Sequence, residues 1–244
     1  MSIGIRWGVA VLLAAGLAGC GSDRATPAGS PPAIHLTATL SAPTTMTLAW
    51  TGAEPGAAGR VVEFATEADG QYAPLQFVPP RQMTYTHADL MPGTTFYYRV
   101  RSYFGPTSPP VDVTLPPGPV DENAPQADQP WARPRKVDRG PVATRPVRGA
   151  TGDAGAPTDF MATPMPAGGI QFTWTDHASD EDGYLLEIRT AAGGDFSVAA
   201  VLDPDINSTG LLTLPNQRSA TFRVRAFYYG PASNIAHQKT GGQP

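Results

Sequence analysis

The sequence predicts an all-β protein: two antiparallel β-sandwiches joined by a disordered Pro-rich linker. Three observations predict this. Short runs alternate apolar and polar residues with a period of two, and turn residues separate them. The 26 glycines and 27 prolines of the 244-residue chain weaken or break helix interiors. The pattern also occurs twice. An offset of 124 residues carries Trp50 to Trp174, Gly59 to Gly183, Glu63 to Glu187, and Tyr98-Arg99-Val100-Arg101 to Phe222-Arg223-Val224-Arg225. A fixed offset held without a gap over about fifty residues is the mark of a duplicated unit.

Residues 1–19 carry one positive charge, Arg6, and an apolar run from Trp7 to Ala18 that is too short to span a bilayer. This is the shape of a secretory signal peptide. It ends Leu17-Ala18-Gly19-Cys20, which resembles the bacterial lipobox. The resemblance implies cleavage before Cys20 and lipidation of that cysteine, the single one in the chain. Several acyl chains would anchor the protein stably. The expected setting is the bacterial cell envelope, with the membrane as a partner through Cys20. Gly21 follows the cysteine where enteric inner-membrane lipoproteins carry Asp, so the resemblance favours the outer membrane. Residues 20–31, small and polar, read as a flexible tether.

Residues 32–115 form the first expected sandwich. Met46, Leu48 and Trp50 alternate with Thr45, Thr47 and Ala49, and Val62 and Phe64 follow on the next run. Further runs lie at Tyr72 to Val78, Met83 to His87, Phe96 to Tyr103 and Val111 to Leu115. Trp50, Leu90-Met91-Pro92-Gly93-Thr94 and Phe96-Tyr97-Tyr98-Arg99-Val100-Arg101 resemble the fibronectin type III family, an Ig-like sandwich. Phe96 stands where that family has its corner tyrosine, so the corner hydrogen bond is lost while the ring still fills the core.

Residues 116–154 break the alternation. Their eight prolines up to Pro146 and few large apolar side chains predict disorder. Arg133, Arg135, Lys136, Arg139, Arg145 and Arg148 make the middle basic, beside Trp131. The preferred reading is a solvated spacer; contact with anionic headgroups or acidic glycans is the other. Residues 155–241 form the second sandwich. Ile170, Phe172 and Trp174 alternate, as do Tyr184, Leu186 and Ile188. Asp176, Ser179, Glu181, Asp182, Gly183 and Tyr184 resemble a motif common in bacterial fibronectin type III modules.

The sequence offers little chemistry. His35, His87, His177 and His237 lack metal-ligand spacing. No nucleophile motif or phosphate loop is recognisable, so neither an enzyme nor a cofactor is expected. A net charge of −4 with 16% charged residues gives no field for nucleic acid. The acidic run Asp176, Asp180, Glu181, Asp182 reads as turn chemistry before calcium binding, and no metal is expected. Glu63 and Glu187 are expected to pair across strands with Arg99 or Arg101 and Arg223 or Arg225 on solvated sheet faces. The sequences Tyr103-Phe104-Gly105-Pro106 and Phe227-Tyr228-Tyr229-Gly230-Pro231 end the two sixth strands. Strand alternation turns Tyr103, Phe227 and Tyr229 outward. They are the candidate contacts for an envelope protein or a glycan, against the plainer reading of loop packing. The expected role is non-catalytic binding or adhesion. The alternatives are a structural spacer or assembly component of an envelope complex, and an accessory glycan-binding protein.

Overall fold

A computed structural model describes residues 33–116, 129–214 and 217–242. The signal segment, Cys20 and the tether lie outside the described residues, as does 117–128 of the linker. The described chain is all-β, with fourteen strands and one short 3-10 turn at Pro166–Gly168.

Seven strands come from the first repeat: β1 (His35–Ala42), β2 (Thr45–Thr51), β3 (Gly59–Ala65), β4 (Ala73–Val78), β5 (Thr84–His87), β6 (Thr95–Phe104) and β7 (Val111–Thr114). Seven come from the second: β8 (Thr158–Met165), β9 (Gly169–Thr175), β10 (Gly183–Thr190), β11 (Ser197–Leu202), β12 (Ser208–Leu212), β13 (Ser219–Ala232) and β14 (Ala236–Lys239). The strands form where the alternation predicts them. On β2 the apolar set Met46, Leu48 and Trp50 is buried, and the β-branched threonines occupy the other face, where they suit a pleated surface. Trp50 packs with Leu36, Leu48, Val62, Phe96 and Tyr98 in one core. Trp174 packs with Phe172, Tyr184, Leu186, Phe222 and Val224 in the other.

Each sandwich sets a three-stranded sheet, β1-β2-β5 or β12-β9-β8, against part of one eight-stranded sheet. That larger sheet runs β11-β10-β13-β6-β3-β4, so both repeats contribute to it. Its centre is the antiparallel pairing of the two sixth strands, Tyr228 opposite Phe104 and Tyr229 opposite Tyr103.

The boundaries expected from sequence, 32–115 and 155–241, do not describe the sandwiches. Strand β7 does not return to β6. It pairs with β13 of the second repeat, Val111 opposite Phe222 through Thr114 opposite Ser219. Strand β14 in turn pairs with β6 of the first, Ala236 opposite Tyr98 through Lys239 opposite Thr95. The repeats have traded their last strands. The crossings are built alike. The Ser108 N–H donates to the Val224 carbonyl at 2.8 Å and its Oγ accepts from the Val224 N–H at 3.1 Å. Ser233 does the same to Val100, at 2.9 and 3.0 Å. Asn234 then clamps β1, accepting from the Leu36 N–H and donating to the Leu36 carbonyl.

The linker also departs from expectation over its described part. Residues 129–154 are a strap laid on the second sandwich. Its anchor is Trp131. A Cβ on Gly169 would come within 2.0 Å of the indole, and one on Gly210 within 2.7 Å, so two side-chain-free positions on β9 and β12 make the slot. Ala132 and Val147 are buried. Strap backbone bonds to the sandwich through Arg135 and Ser208, through Val137 and the Asn207 side chain, and through Arg145 and the His177 carbonyl. Composition predicted too little burial to offset ordering entropy; the glycine slot and these bonds supply what composition does not show.

Candidate functional site

The outer face of the shared sheet is where the sequence placed both the charge pairs and the aromatic contacts. The strand register lines up Glu63 with Arg99 and Glu187 with Arg223. The pairs form as expected. Arg99 Nε donates to Glu63 at 2.6 Å, and Arg101 reaches both carboxylate oxygens at 2.5 and 2.9 Å. Arg225 Nε donates to Glu187 at 2.9 Å, with Arg223 on its other side. The setting is not the solvated face that was expected: Glu63 is 1% and Glu187 3% exposed. Rings cover the arginines. The Arg101 guanidinium lies 3.8 Å from the Tyr229 ring centre, Arg99 4.4 Å from Tyr72, and Arg223 3.9 Å from Phe196. Tyr72 and Phe196 are themselves one repeat apart.

Tyr72 and Phe196 come from the same repeat as their arginines, and the junction of the two repeats adds the rest of the cover, Tyr229 over Arg101. Strands β4 and β11, the two ends of the shared sheet, face each other. Phe77 from β4 and Val198 from β11 pack on one cluster with Tyr103, Leu185, Phe227 and Tyr229. Arg81 and Asp195, next to those strands, form an exposed ion pair at 2.5 Å. The candidate contact residues are thus brought together but withdrawn from solvent: Tyr103 is 5% and Phe227 1% exposed, and Tyr229 is half-buried under Arg101. Strand alternation turned them away from their own sandwich core correctly. What covers them is the other repeat. Burial pushes the Tyr103 hydroxyl up to about 12, with the Glu187 charge adding and Arg225 opposing, and burial lifts Tyr229 to about 12 as well.

The rings left half-exposed at the turns are their sequence neighbours Phe104 and Tyr228, stacked at 5.5 Å and 19°. They line an open groove of about 320 Å³ with Pro55, Gly56, Gly105 and Pro106. The strap residues Val147, Ala150 and Gly152 complete the wall, so both repeats and the strap build it. The Arg148 guanidinium stands 5.2 Å from the Tyr228 ring centre. Sequence reasoning passed over Phe104 and Tyr228. The available signal was the extra tyrosine in Phe227-Tyr228-Tyr229, which shifts the second turn by one residue.

The acidic run behaves largely as turn and strap chemistry. Asp180 accepts from the Val147 N–H at 2.5 Å, and Asp182 pairs with Arg148 and accepts from the Tyr229 N–H. Asp176 accepts from the Ala178 N–H and the Tyr184 hydroxyl. Among the described residues, Asp176, Glu181 and Asp205 bring carboxylate oxygens within 4.8 Å of one another. Asp205, from the β11–β12 connection, was not visible as a neighbour in sequence. Burial raises the Glu181 carboxyl above its ordinary range, and the charges of Asp176 and Asp205 add to the effect. Each of the three carboxylates already has a donor: Tyr184 and Ala178 for Asp176, the Asp205 N–H for Glu181, and Lys136 for Asp205.

The strand order of each sandwich, once its traded strand is counted, is fibronectin type III-like. No family model and no curated protein matches the chain. Among solved structures it is similar to an Fn3-like protein from Clostridium thermocellum, with 33% identity over 30% of this chain and 77% of that one, TM-score 0.26. It is similar to a segment of two fibronectin type III domains from chicken tenascin, with 13% identity over 83% of this chain and 95% of that one, TM-score 0.27. It is also similar to pectate lyase PelI from Erwinia chrysanthemi, solved in complex with tetragalacturonic acid, with 18% identity and TM-score 0.28. That likeness covers 29% of this chain and 23% of the lyase.

Proposed function

We propose that this chain is a non-catalytic, lipid-anchored protein of the bacterial envelope that acts as an interaction module, docking a protein partner in the groove beside Phe104 and Tyr228. The groove carries the reading. It is concave, it is built jointly by both repeats and the strap, and it is lined by two aromatic side chains and two prolines, apolar groups that anchor protein contacts. Glycan docking is less well served. Stacking on a sugar needs a free ring face, and the two rings face each other, with Arg148 over Tyr228. A linear spacer is also less well served, because β14 returns to the first sandwich and the chain does not run from one module to the next. Anchoring rests on Leu17-Ala18-Gly19-Cys20 after the apolar run, and the outer membrane on Gly21.

A photoreactive residue at the exposed groove position Ala150, in intact cells, is expected to capture a discrete envelope protein. The adduct should be lost with Tyr228→Ala and absent when the probe stands at exposed Met161. Equal capture from both positions would remove the groove from the reading. Labelling with a radioactive fatty acid, abolished by Cys20→Ser, tests the anchor separately.

A further inference from the structure

The two three-stranded sheets follow one plan. The Trp50 N–H donates to the Met83 carbonyl at 3.0 Å, and the Trp174 N–H to the Asn207 carbonyl at 3.1 Å. Thr84 lies opposite Ala49 as Ser208 lies opposite Thr173, so β5 matches β12 residue by residue. Their outer edges differ. The strap joins β12 as an improvised fourth strand. Ser208 and Arg135 exchange N–H and carbonyl at 3.1 and 2.9 Å in an antiparallel bridge, and the Gly210 N–H donates to the Ala132 carbonyl at 3.2 Å. The matching outward groups of β5 belong to Thr84 and Thr86, both exposed. Among the described residues they take one bond beyond the β2 ladder, from the Gln82 amide to the Thr84 carbonyl at 2.9 Å. The remaining edges are blunted. An extra residue breaks the register of β1, β4, β8 and β11, with Pro74 in β4 and Pro164 in β8 besides. Strands β7 and β14 carry Asp112 and Lys239. Bulges, prolines and charges keep sheet edges from pairing. Strand β5 has none of them. Its register is unbroken, and burial lowers the pKa of His87, which keeps the ring neutral near pH 7.

We propose that the edge of β5 docks an extended segment of a partner protein, which adds to the sheet β1-β2-β5 as an antiparallel fourth strand, as the strap does to β12. This site is separate from the groove at Phe104 and Tyr228. The strap is already seated on β12 and does not serve both edges. Main-chain bonds supply the affinity of such an addition, and alternate side chains supply the choice of partner. Thr45 and Thr86 stand where Gly169 and Gly210 open the slot for Trp131, so this edge has no place for an indole. Incoming residues beside Thr84 and Thr86 lie on the outer face, where short hydroxyl or β-branched side chains pair across strands. Those beside Tyr85 and His87 lie on the inner face, where Tyr85 packs on the core and apolar side chains fit. The segment is therefore an uncharged run of about five residues that alternates between these two kinds.

The test uses the isotope-labelled full chain carrying Cys20→Ser and a capped peptide in which threonine and valine alternate, with a lysine at each end for solubility. In the free chain the Thr84 and Thr86 amides are expected to exchange rapidly with solvent, while that of Tyr85, inside the β2 ladder, is protected. Added peptide should shift the Thr84 and Thr86 resonances saturably and slow their exchange. Thr86→Pro removes the outward N–H and leaves the β2 ladder whole, a position where an edge strand accepts proline. It should weaken the peptide by about tenfold or more, whereas Thr86→Val should leave binding nearly unchanged. The same peptide N-methylated at alternate amides should not bind, a control that holds even if the proline variant fails to fold. Thr84 and Thr86 amides already protected in the free chain at all concentrations would mean that the chain covers its own edge, and would overturn the proposal. Protection that appears only as the protein alone is concentrated would give the edge to a second copy and overturn it too. So would peptide shifts centred on β4 or β11, equal binding of the N-methylated peptide, or no saturable shift at β5.

Discussion

Glu187 shows what a residue's own sequence context can and cannot tell. Its partners follow from strand register, and Arg223 and Arg225 are where cross-strand pairing requires them. Its burial does not follow in full, because Phe196 covers Arg223 from the same repeat while Tyr103 beside Glu187 and the Gly105 carbonyl on Arg225 come from the other. The difference has an energetic consequence. A solvated pair is worth about 0–1 kcal/mol, whereas removing one member of a buried pair leaves a desolvated charge and costs about 3–5 kcal/mol. Glu187→Ala should therefore lower unfolding stability by about 3–5 kcal/mol, while Lys136→Ala, which breaks the exposed pair with Asp205, should cost less than about 1 kcal/mol; urea denaturation of both variants checks the contrast. The junction tyrosines give a pH dependence of definite sign. Burial raises Tyr103 and Tyr229 to about 12, above the value near 10 of an unfolded tyrosine. The folded state thus favours the protonated hydroxyl. Its contribution is complete below about pH 10 and is lost as pH rises through about 12. The urea midpoint should fall across that window, and Tyr103→Phe should flatten the fall. Phe is accommodated at the equivalent Phe227, so little stability should be lost near neutral pH.

At the scale of elements, the strands were readable because alternation is a local property, and the strap was not because its partner is remote. Trp131 in a Pro-rich stretch carries no sign of the slot it fills. Gly169 and Gly210, read by themselves, are only weak points in β9 and β12. Their absence of side chain becomes intelligible once the indole is seen across both strands. Gly169→Ala should expel Trp131 with little effect on the sandwich beneath. Its expected signs are a red shift of tryptophan emission and faster tryptic cleavage at Lys136 and Arg139, with the β-sheet circular dichroism unchanged. The first crossing is less forgiving. Gly105 has φ of +119°, and a Cβ there would lie 1.9 Å from the Ala226 carbonyl oxygen. Gly56 also has positive φ but opens onto free space. Gly105→Ala should cost more than the about 1–3 kcal/mol of backbone strain alone, because the traded chain must also shift. Gly56→Ala should stay within that range, as thermal denaturation of the two would show.

At the scale of the whole molecule, duplication was plain in the sequence while the trading of strands was hidden. Val111 to Thr114 has the pattern of a final strand for either sandwich, and Gly105-Pro106 suits a turn back as well as a passage onward. The choice is made by contacts that form only when both repeats are present, such as Ser108 on Val224 and Ser233 on Val100. Two modules on a tether would unfold independently, each with its own stability. Here neither core closes without a strand from the other repeat, and if the halves part the Tyr103–Phe227 cluster is lost and Arg101 loses its cover from Tyr229. Local openings can still differ in energy, but the highest-energy opening must be common to both sandwiches. Hydrogen exchange in rising sub-denaturing urea should therefore bring the most protected amides of β2 and β9 onto one shared unfolding isotherm. Two isotherms with different slopes and intercepts would mean that each sandwich closes with its own last strand. Two sandwiches that unfold as one would hold the groove at their crossing in a fixed geometry, and that rigidity would lower the ordering cost of the docking proposed for it.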